Sequence, residues 1–241
     1  MAKKIKFYPF NEIASKDIDS PVLAAKQIPE WYKRQPGSIN DEVGYSQGML
    51  QSTVKRCMPV FDAITAGYIM VAPVDIYIDA TDPEKLSKAT PAAAKMGLPD
   101  LFATHGIEQY THFPIDASIY HKEILRINTY WSVGTENGSS SIIMQPIHQD
   151  ISPLMAITGI VDTDKMITDG HFSFLVKKGF KGVIKQGTPL VQIIPFDRDS
   201  WKSEVVDFDI AKDIIQHQRF VLRRVFGYGY KMLMRSKKDY K

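Results

Sequence analysis

One cysteine, Cys57, is all that the 241 residues hold. That excludes an internal disulfide and any cysteine-built zinc cage, and it points to a reducing compartment. Its setting in TVKRCMPVF reads as a half-buried strand thiol rather than a nucleophile. The opening MAKKIKFYPF has lysines but no apolar stretch of signal-peptide length, and nowhere is there an apolar run of about 18 residues. The expectation is a protein that is neither exported nor membrane-bound. Internal repeats and low-complexity tracts are also missing, which excludes solenoids and disordered linkers. Net charge is only +3, too little to demand a polyanionic partner. The charge is uneven, however: nine Lys and Arg stand against four Asp between Asp207 and Lys241, a local +5, leaving −2 for the remainder. The basic character lies in the C-terminal tail.

What is present is an ordinary globular composition, 44% hydrophobic and 24% charged, enough for one sizeable core. Residues 1–53 read as an N-terminal arm: KIKFYPF alternates like a short strand, Pro29 opens a helix, and Pro36-Gly37 ends it. Trp31 and Tyr32 are placed to pin this arm. Residues 54–198 read as a β core. TVKRCMPVFDAITAGYIMVAPVDIYI suggests two strands, and a short helical insertion at about 83–104 is cut by Pro91 and Pro99. KEILRINTYWSVGTENGSSSIIMQPI suggests two strands paired through a turn at Asn137-Gly138. Three more strands turn at Lys178-Gly179 and Gln186-Gly187. Gly159 and Gly187 are expected to bracket a strand pair carrying Ile160, Val161, Leu190, Gln192 and Ile194, with Val191, Ile193 and Phe196 buried. Residues 199–241 read as a basic helix and tail, with Ile210, Ile214, Val221 and Val225 in one apolar stripe that should pack on its own sheet or on a neighbouring copy. The expected fold is mainly β, an antiparallel barrel-like core with an N-terminal arm, a short helical insertion and a C-terminal helix.

Several residue sets bear on chemistry. Asp162 and Asp164 in GIVDTD either hold a ligand or cap a turn by accepting backbone N–H groups. His148-x-Asp150, with His171 as a distal partner, has the residue types of the two-histidine, one-carboxylate iron site of oxygenases. His105, Glu108, His112 and His121 lack metal-ligand spacing. Ser139-Ser140-Ser141 fits a phosphate-binding turn or a plain hairpin. The basic tail, with Arg219, Arg223, Arg224, Lys231, Arg235, Lys237 and Lys238, is either a solvated helix face or a contact for nucleic acid or an acidic protein. Trp31 and Tyr32, with Arg219, Arg223 and Arg224, are the candidate interface residues.

GIVDTD, followed 25 positions after Asp162 by Gly187 in KQGTPLVQIIPF, is similar to two motifs of the dUTPase family, which has the β-clip fold. That resemblance implies a catalytic Asp162 that orients the attacking water with Mg²⁺, and Asp164, Lys165 and Gln192 as ligand-binding positions. Lys165 stands where the family has Tyr. The chain departs from the family at QPIHQD, where no Ser or Gly follows Pro146, and in lacking the Gly-rich C-terminal arm unless GYGY at Gly227–Tyr230 replaces it. The whole chain also resembles a family found largely in tailed phages and some bacteria, through IPEWYK, GIVDTD and KQGTPLVQIIPFDRDSWK.

β-clip folds serve as trimeric nucleotidases and as trimeric capsid decoration proteins. The resemblances therefore imply a phage protein that acts through interfaces, a virion structural or assembly component on a degenerate dUTPase-like fold. It would form a homo-oligomer, with a trimer as the candidate, beside other phage proteins in the virion or host cytoplasm, and would need no cofactor. The alternatives are a dUTPase-like nucleotide hydrolase using Mg²⁺ and a non-haem iron oxygenase built on His148 and Asp150.

Overall fold

The computed structural model describes residues 3–40, 50–98, 101–105, 107–150, 153–223 and 229–241. In chain order the elements are β1 (Ile5–Pro9), α1 (Glu12–Asp17), β2 (Val22–Leu23), α2 (Glu30–Arg34), β3 (Ser38–Asn40), β4 (Leu50–Ser52), α3 (Met58–Thr65), β5 (Tyr68–Val71), β6 (Ile76–Asp79), β7 (Ser87–Ala89), α4 (Pro91–Met96) and β8 (Phe102–His105). There follow β9 (Ile124–Asn128), β10 (Trp131–Thr135), β11 (Ser139–Met144), β12 (Leu154–Ala156), β13 (Gly159–Val161), β14 (His171–Val176), β15 (Lys181–Ile184), β16 (Pro189–Asp197) and α5 (Phe208–Arg223). They fall into two compact units, one of Met1–Gln27 with Gly67–Arg198 and one of Ile28–Ala66 with Asp199–Lys241.

The first unit is mainly β, and its sheets are antiparallel. A five-stranded sheet has the order β13-β11-β16-β5-β2, a four-stranded sheet the order β12-β14-β9-β8, and smaller sheets join β15-β6-β7 and β1-β10. Alternation sets the faces. On β14, Phe172, Phe174 and Val176 point into the core while His171 and Ser173 point away. On β16 the run Leu190–Ile193 is continuously buried, as befits a central strand covered on both faces. The core collects Met70, Ile76, Ile78, Ile127, Phe174 and Leu190. Gly67 closes against it at φ +68°, where an added Cβ would lie 2.0 Å from the Ile193 carbonyl oxygen. The second unit holds α2, α3, α5 and the β3–β4 pair.

Strand positions at 159–161, 171–176, 181–184 and 189–197 and the turns at Gly179 and Gly187 are as expected from sequence. The barrel is not: among the described residues no sheet closes on itself, and each keeps two edges. β10 and β11 meet at Asn137-Gly138 without pairing to each other, because β10 takes β1 as its partner and β11 lies between β13 and β16. Gly138 supplies the left-handed residue of that corner, φ +83°. β13 and β16 share a sheet but are separated by β11, and Phe196 is only half-buried.

Residues 54–65 form a 3-10 turn and α3 rather than a strand, since Pro59 lies in the first turn of a helix, where no N–H is needed. Cys57 is the residue before that helix, partly buried. Pro91 likewise opens α4 instead of interrupting it, and Gly97 caps the helix at φ +69°. Within the expected helical insertion, β7 and β8 are strands. β1 and β2, in the expected arm, belong to sheets of the first unit.

Candidate functional site

The acidic turn follows β13. The Asp162 carbonyl accepts the N–H groups of Lys165 at 2.9 Å and Met166 at 3.0 Å, which turns the chain back on itself. That leaves the two carboxylates in different settings. The Asp164 side chain is 0% exposed and its Oδ2 accepts the Gly138 N–H at 2.8 Å. Arg198, one residue past β16, donates Nη1 to Asp164 Oδ1 at 2.7 Å and Nη2 to Oδ2 at 2.5 Å. The same Nη1 donates to the Ser139 carbonyl at 3.0 Å and to Ser140 Oγ at 2.9 Å. Asp162 is 60% exposed, and its Oδ1 accepts from Ser140 Oγ at 2.6 Å and from Arg198 Nη1 at 3.3 Å.

Beneath the turn a hydroxyl chain runs from Thr135 Oγ1 to Thr163 Oγ1 at 2.7 Å and on to Ser141 Oγ at 3.0 Å. Lys3 and Ser139 both donate to Asp197 Oδ1, at 2.7 and 3.0 Å. Ser139, Ser140 and Ser141 are thus buried strand residues of β11 with assigned partners, not a phosphate-binding turn.

These contacts set the electrostatics. Hydrogen bonds from Arg198 hold the Asp164 carboxyl well below the usual carboxylate range, helped by the Gly138 N–H and opposed by burial. The Arg198 guanidinium is raised in turn by Asp164. Asp197 is lowered chiefly by Lys3 and then by Ser139. Bound bidentately by arginine and capped by a backbone N–H, the Asp164 carboxylate already accepts three hydrogen bonds at its two oxygens. The arrangement acts as a clasp, tying the end of β13 to the β10–β11 corner and to the end of β16.

The other sequence-derived candidates lie elsewhere. Lys165 is exposed on the turn, while Gln192 is fully buried, its Oε1 accepting the Ile147 N–H at 2.8 Å. Gln192 therefore braces the chain after β11. His148 sits at φ +55° in a turn closed by the Gln149 N–H on the Pro146 carbonyl. With Asp150 and His171 it does not converge: among the described residues no three His, Cys, Asp or Glu are placed to hold a metal ion. His121 is fully buried, its Nε2 3.1 Å from the Asp82 carbonyl and its Nδ1 accepting the Glu123 N–H. A 410 Å³ cleft beside β13 is lined by Ile143, Val161, Met166, Phe172 and Arg126, but Asp169 Oδ2 already meets Arg126 Nη2 at 2.9 Å.

The candidate interface residues divide. Tyr32 is buried, with its hydroxyl on the Lys55 carbonyl at 3.0 Å and its ring 5.9 Å from Phe61, so it belongs to the core of the second unit. Trp31, edge-on to Tyr32 at 5.5 Å, stays 39% exposed. Arg219 is exposed on α5, Arg223 is the last residue of that helix, and Arg224 and Val225 lie outside the described residues. The N-terminal part of the α5 stripe is exposed, Ile210 59% and Ile214 52%, while Val221 is half-buried.

Sequence reasoning missed Arg198 and Thr163, and it read Ser140 as part of a turn rather than as a partner of Asp162. Only the register, Ser139 opposite Asp197 and Ser141 opposite Val161, brings them together. No helix among the described residues is long and apolar enough to cross a membrane. The chain matches no protein-family model and no curated protein sequence.

Proposed function

We propose that this protein acts through interfaces, as a structural or assembly component of a virus particle, and that it associates with further copies of itself through α5. The observation that carries the reading is the uncovered apolar face of that helix. A helix of 16 residues is marginal in water on its own. At 3.6 residues per turn, Ile210, Ala211, Ile214, Ile215, Val221, Leu222 and Phe208 cover roughly 160° of its circumference. That is wider than the seam of a two-stranded coiled coil and suits a bundle of three or more helices. Burying each large side chain contributes about 1.5–3 kcal/mol.

Charge names the occupant and its direction. Lys212 and Arg219 flank one side of the stripe and Asp213 flanks the other. Parallel copies around a rotation axis place each basic flank against a neighbour's acidic flank, whereas an antiparallel pair sets like against like. A second copy of this chain is thus a complementary partner. A lipid surface is not, because the polar face mixes both charge signs.

The dUTPase-like resemblance fits the same reading as an ancestral scaffold whose acidic turn now serves as a clasp. Light scattering on the full chain beside the Ile214→Asp, Ile215→Asp variant tests it. The expected result is an oligomer that the double substitution dissociates; a full-length monomer would sink the proposal. Incubation with dUTP and Mg²⁺ tests the hydrolase alternative. Pyrophosphate release that disappears in Asp162→Asn would establish the enzyme, and none is expected.

A further inference from the structure

We propose that the second unit carries a site for single-stranded nucleic acid, in a 320 Å³ pocket lined by α2, α3 and the Tyr230–Met234 helical turn. Its size matches one nucleotide, at the small end of ligand pockets.

The first observation is an aromatic wall. The partly buried ring of Phe61 lines the pocket and is backed by Tyr32, centroid to centroid 5.9 Å at a 33° tilt. The Arg235 guanidinium stands 5.8 Å from the centre of the Phe61 ring. Rings and guanidinium planes are the surfaces on which unpaired bases stack, whatever their identity.

The second is an excess of cations around that wall. Asp62 is buried and accepts from Arg235 Nε at 3.0 Å, Arg235 Nη2 at 2.6 Å and Lys238 Nζ at 3.2 Å, so one carboxylate faces two cations. Lys55 Nζ donates to the Tyr32 and Lys33 carbonyls, at 2.5 and 3.3 Å, and lies 4.5 Å from the Tyr32 ring centre. No carboxylate balances Lys55 among the described residues. Lys33 is held by Glu30 at 2.6 Å in an exposed pair, which an incoming phosphate can replace. Lys231 is exposed at the rim.

The third is the charge of the unit. It holds fourteen Lys and Arg against ten Asp and Glu, +4, while the remainder of the chain carries −1 of the total +3. An acidic peptide or a free anion would use the lysines and leave the aromatic wall without a function. A strand of nucleic acid uses both, phosphates on Lys55, Lys231 and Lys33 and a base on Phe61. Ring stacking and phosphate contacts carry no base identity, so binding should tolerate any sequence.

The test is fluorescence anisotropy of a labelled oligothymidylate with the full chain, titrated from about 50 to 200 mM salt. Saturable binding that weakens with salt is expected. Lys231→Glu should lower affinity about tenfold and reduce the salt slope by about one. Phe61→Leu, which keeps an apolar side chain, should lower affinity about tenfold and leave the slope alone. Lys95→Glu, an equal charge change on exposed α4 of the other unit, should alter neither. Matching melting temperatures show that the variants are folded. Absence of binding, an unaltered affinity in Phe61→Leu, or an equal loss in Lys95→Glu would overturn the site, the last two by exposing mere attraction between a basic protein and a polyanion.

Discussion

Arg198 grips Asp164 with both terminal nitrogens, at 2.7 and 2.5 Å, across 34 residues of chain. The pair converts an acidic turn that looks catalytic into a fastening between strand ends. The fastening depends on Asp164 far more than on Asp162, whose carboxylate is open to solvent on one side. Asp164→Asn and Arg198→Ala should each lower the melting temperature by several degrees, and Asp162→Asn by much less. Differential scanning calorimetry decides. Equal losses from Asp162→Asn and Asp164→Asn would mean that both carboxylates are structural to the same degree.

The same geometry sets a pH dependence. Asp164, Asp197 and Asp62 are all held below the usual carboxylate range in the folded chain, chiefly by Arg198, Lys3 and Arg235 respectively. In the unfolded chain they titrate at about 3.9. As pH falls into that range the unfolded state takes up protons that the folded state still refuses, so stability falls with it. The contribution is fully present above the unfolded value and is lost as pH drops towards the folded ones. Urea midpoints should therefore be level from about pH 5 to 7 and fall steeply below about pH 4. Asp164→Asn should show a shallower fall, and an unchanged acid limb in that variant would contradict the assignment.

Much of the β framework was legible because it is local. Phe172 and Phe174 alternate with His171 and Ser173, and Gly179 and Gly187 punctuate the strands at left-handed turns. Pairing was not legible, because a turn joins strands without choosing their partners. Asn137-Gly138 has the residues of a hairpin, yet β10 and β11 separate to β1 and β16, whose sequences lie far away. Proline misled at Pro91, read as a helix break, and Pro59 went unread as a helix start. Pro59 and Pro91 forbid a helix interior but favour its first turn, and composition does not say which applies. Asp162 and Asp164 were visible as a pair, but Arg198 was invisible as their partner until the register was known.

Gln192 offers a separate test of structure against ligand binding. Its buried Oε1 accepts the Ile147 N–H at 2.8 Å, a contact that fixes the chain leaving β11. Gln192→Leu preserves bulk and removes the acceptor, leaving the N–H without its protein partner. The expected cost is about 1–3 kcal/mol in chemical denaturation. A variant of unaltered stability would remove Gln192 from the structural framework and return it to the ligand-binding role implied by the dUTPase-like motif.

The last prediction concerns Gln218, which lies near the middle of the apolar arc of α5, between Ile214 and Leu222 along the helix. In a bundle of parallel helices the copies of this amide meet close to the axis, where they hydrogen-bond to one another or remain unsatisfied. A polar residue at such a position lowers stability but fixes register and the number of strands, because only one arrangement lets the amides meet. Replacing it with an apolar side chain should therefore separate affinity from specificity. Gln218→Leu is expected to raise the melting temperature of the assembly, by adding about 1.5–3 kcal/mol of apolar burial per copy. Its light-scattering mass should broaden from one oligomer to a mixture. Gln218→Asn, which keeps the amide, should retain a single mass. If Gln218→Leu leaves both the melting temperature and the mass unchanged, α5 does not meet its copies through this face and self-association must be sought elsewhere on the chain.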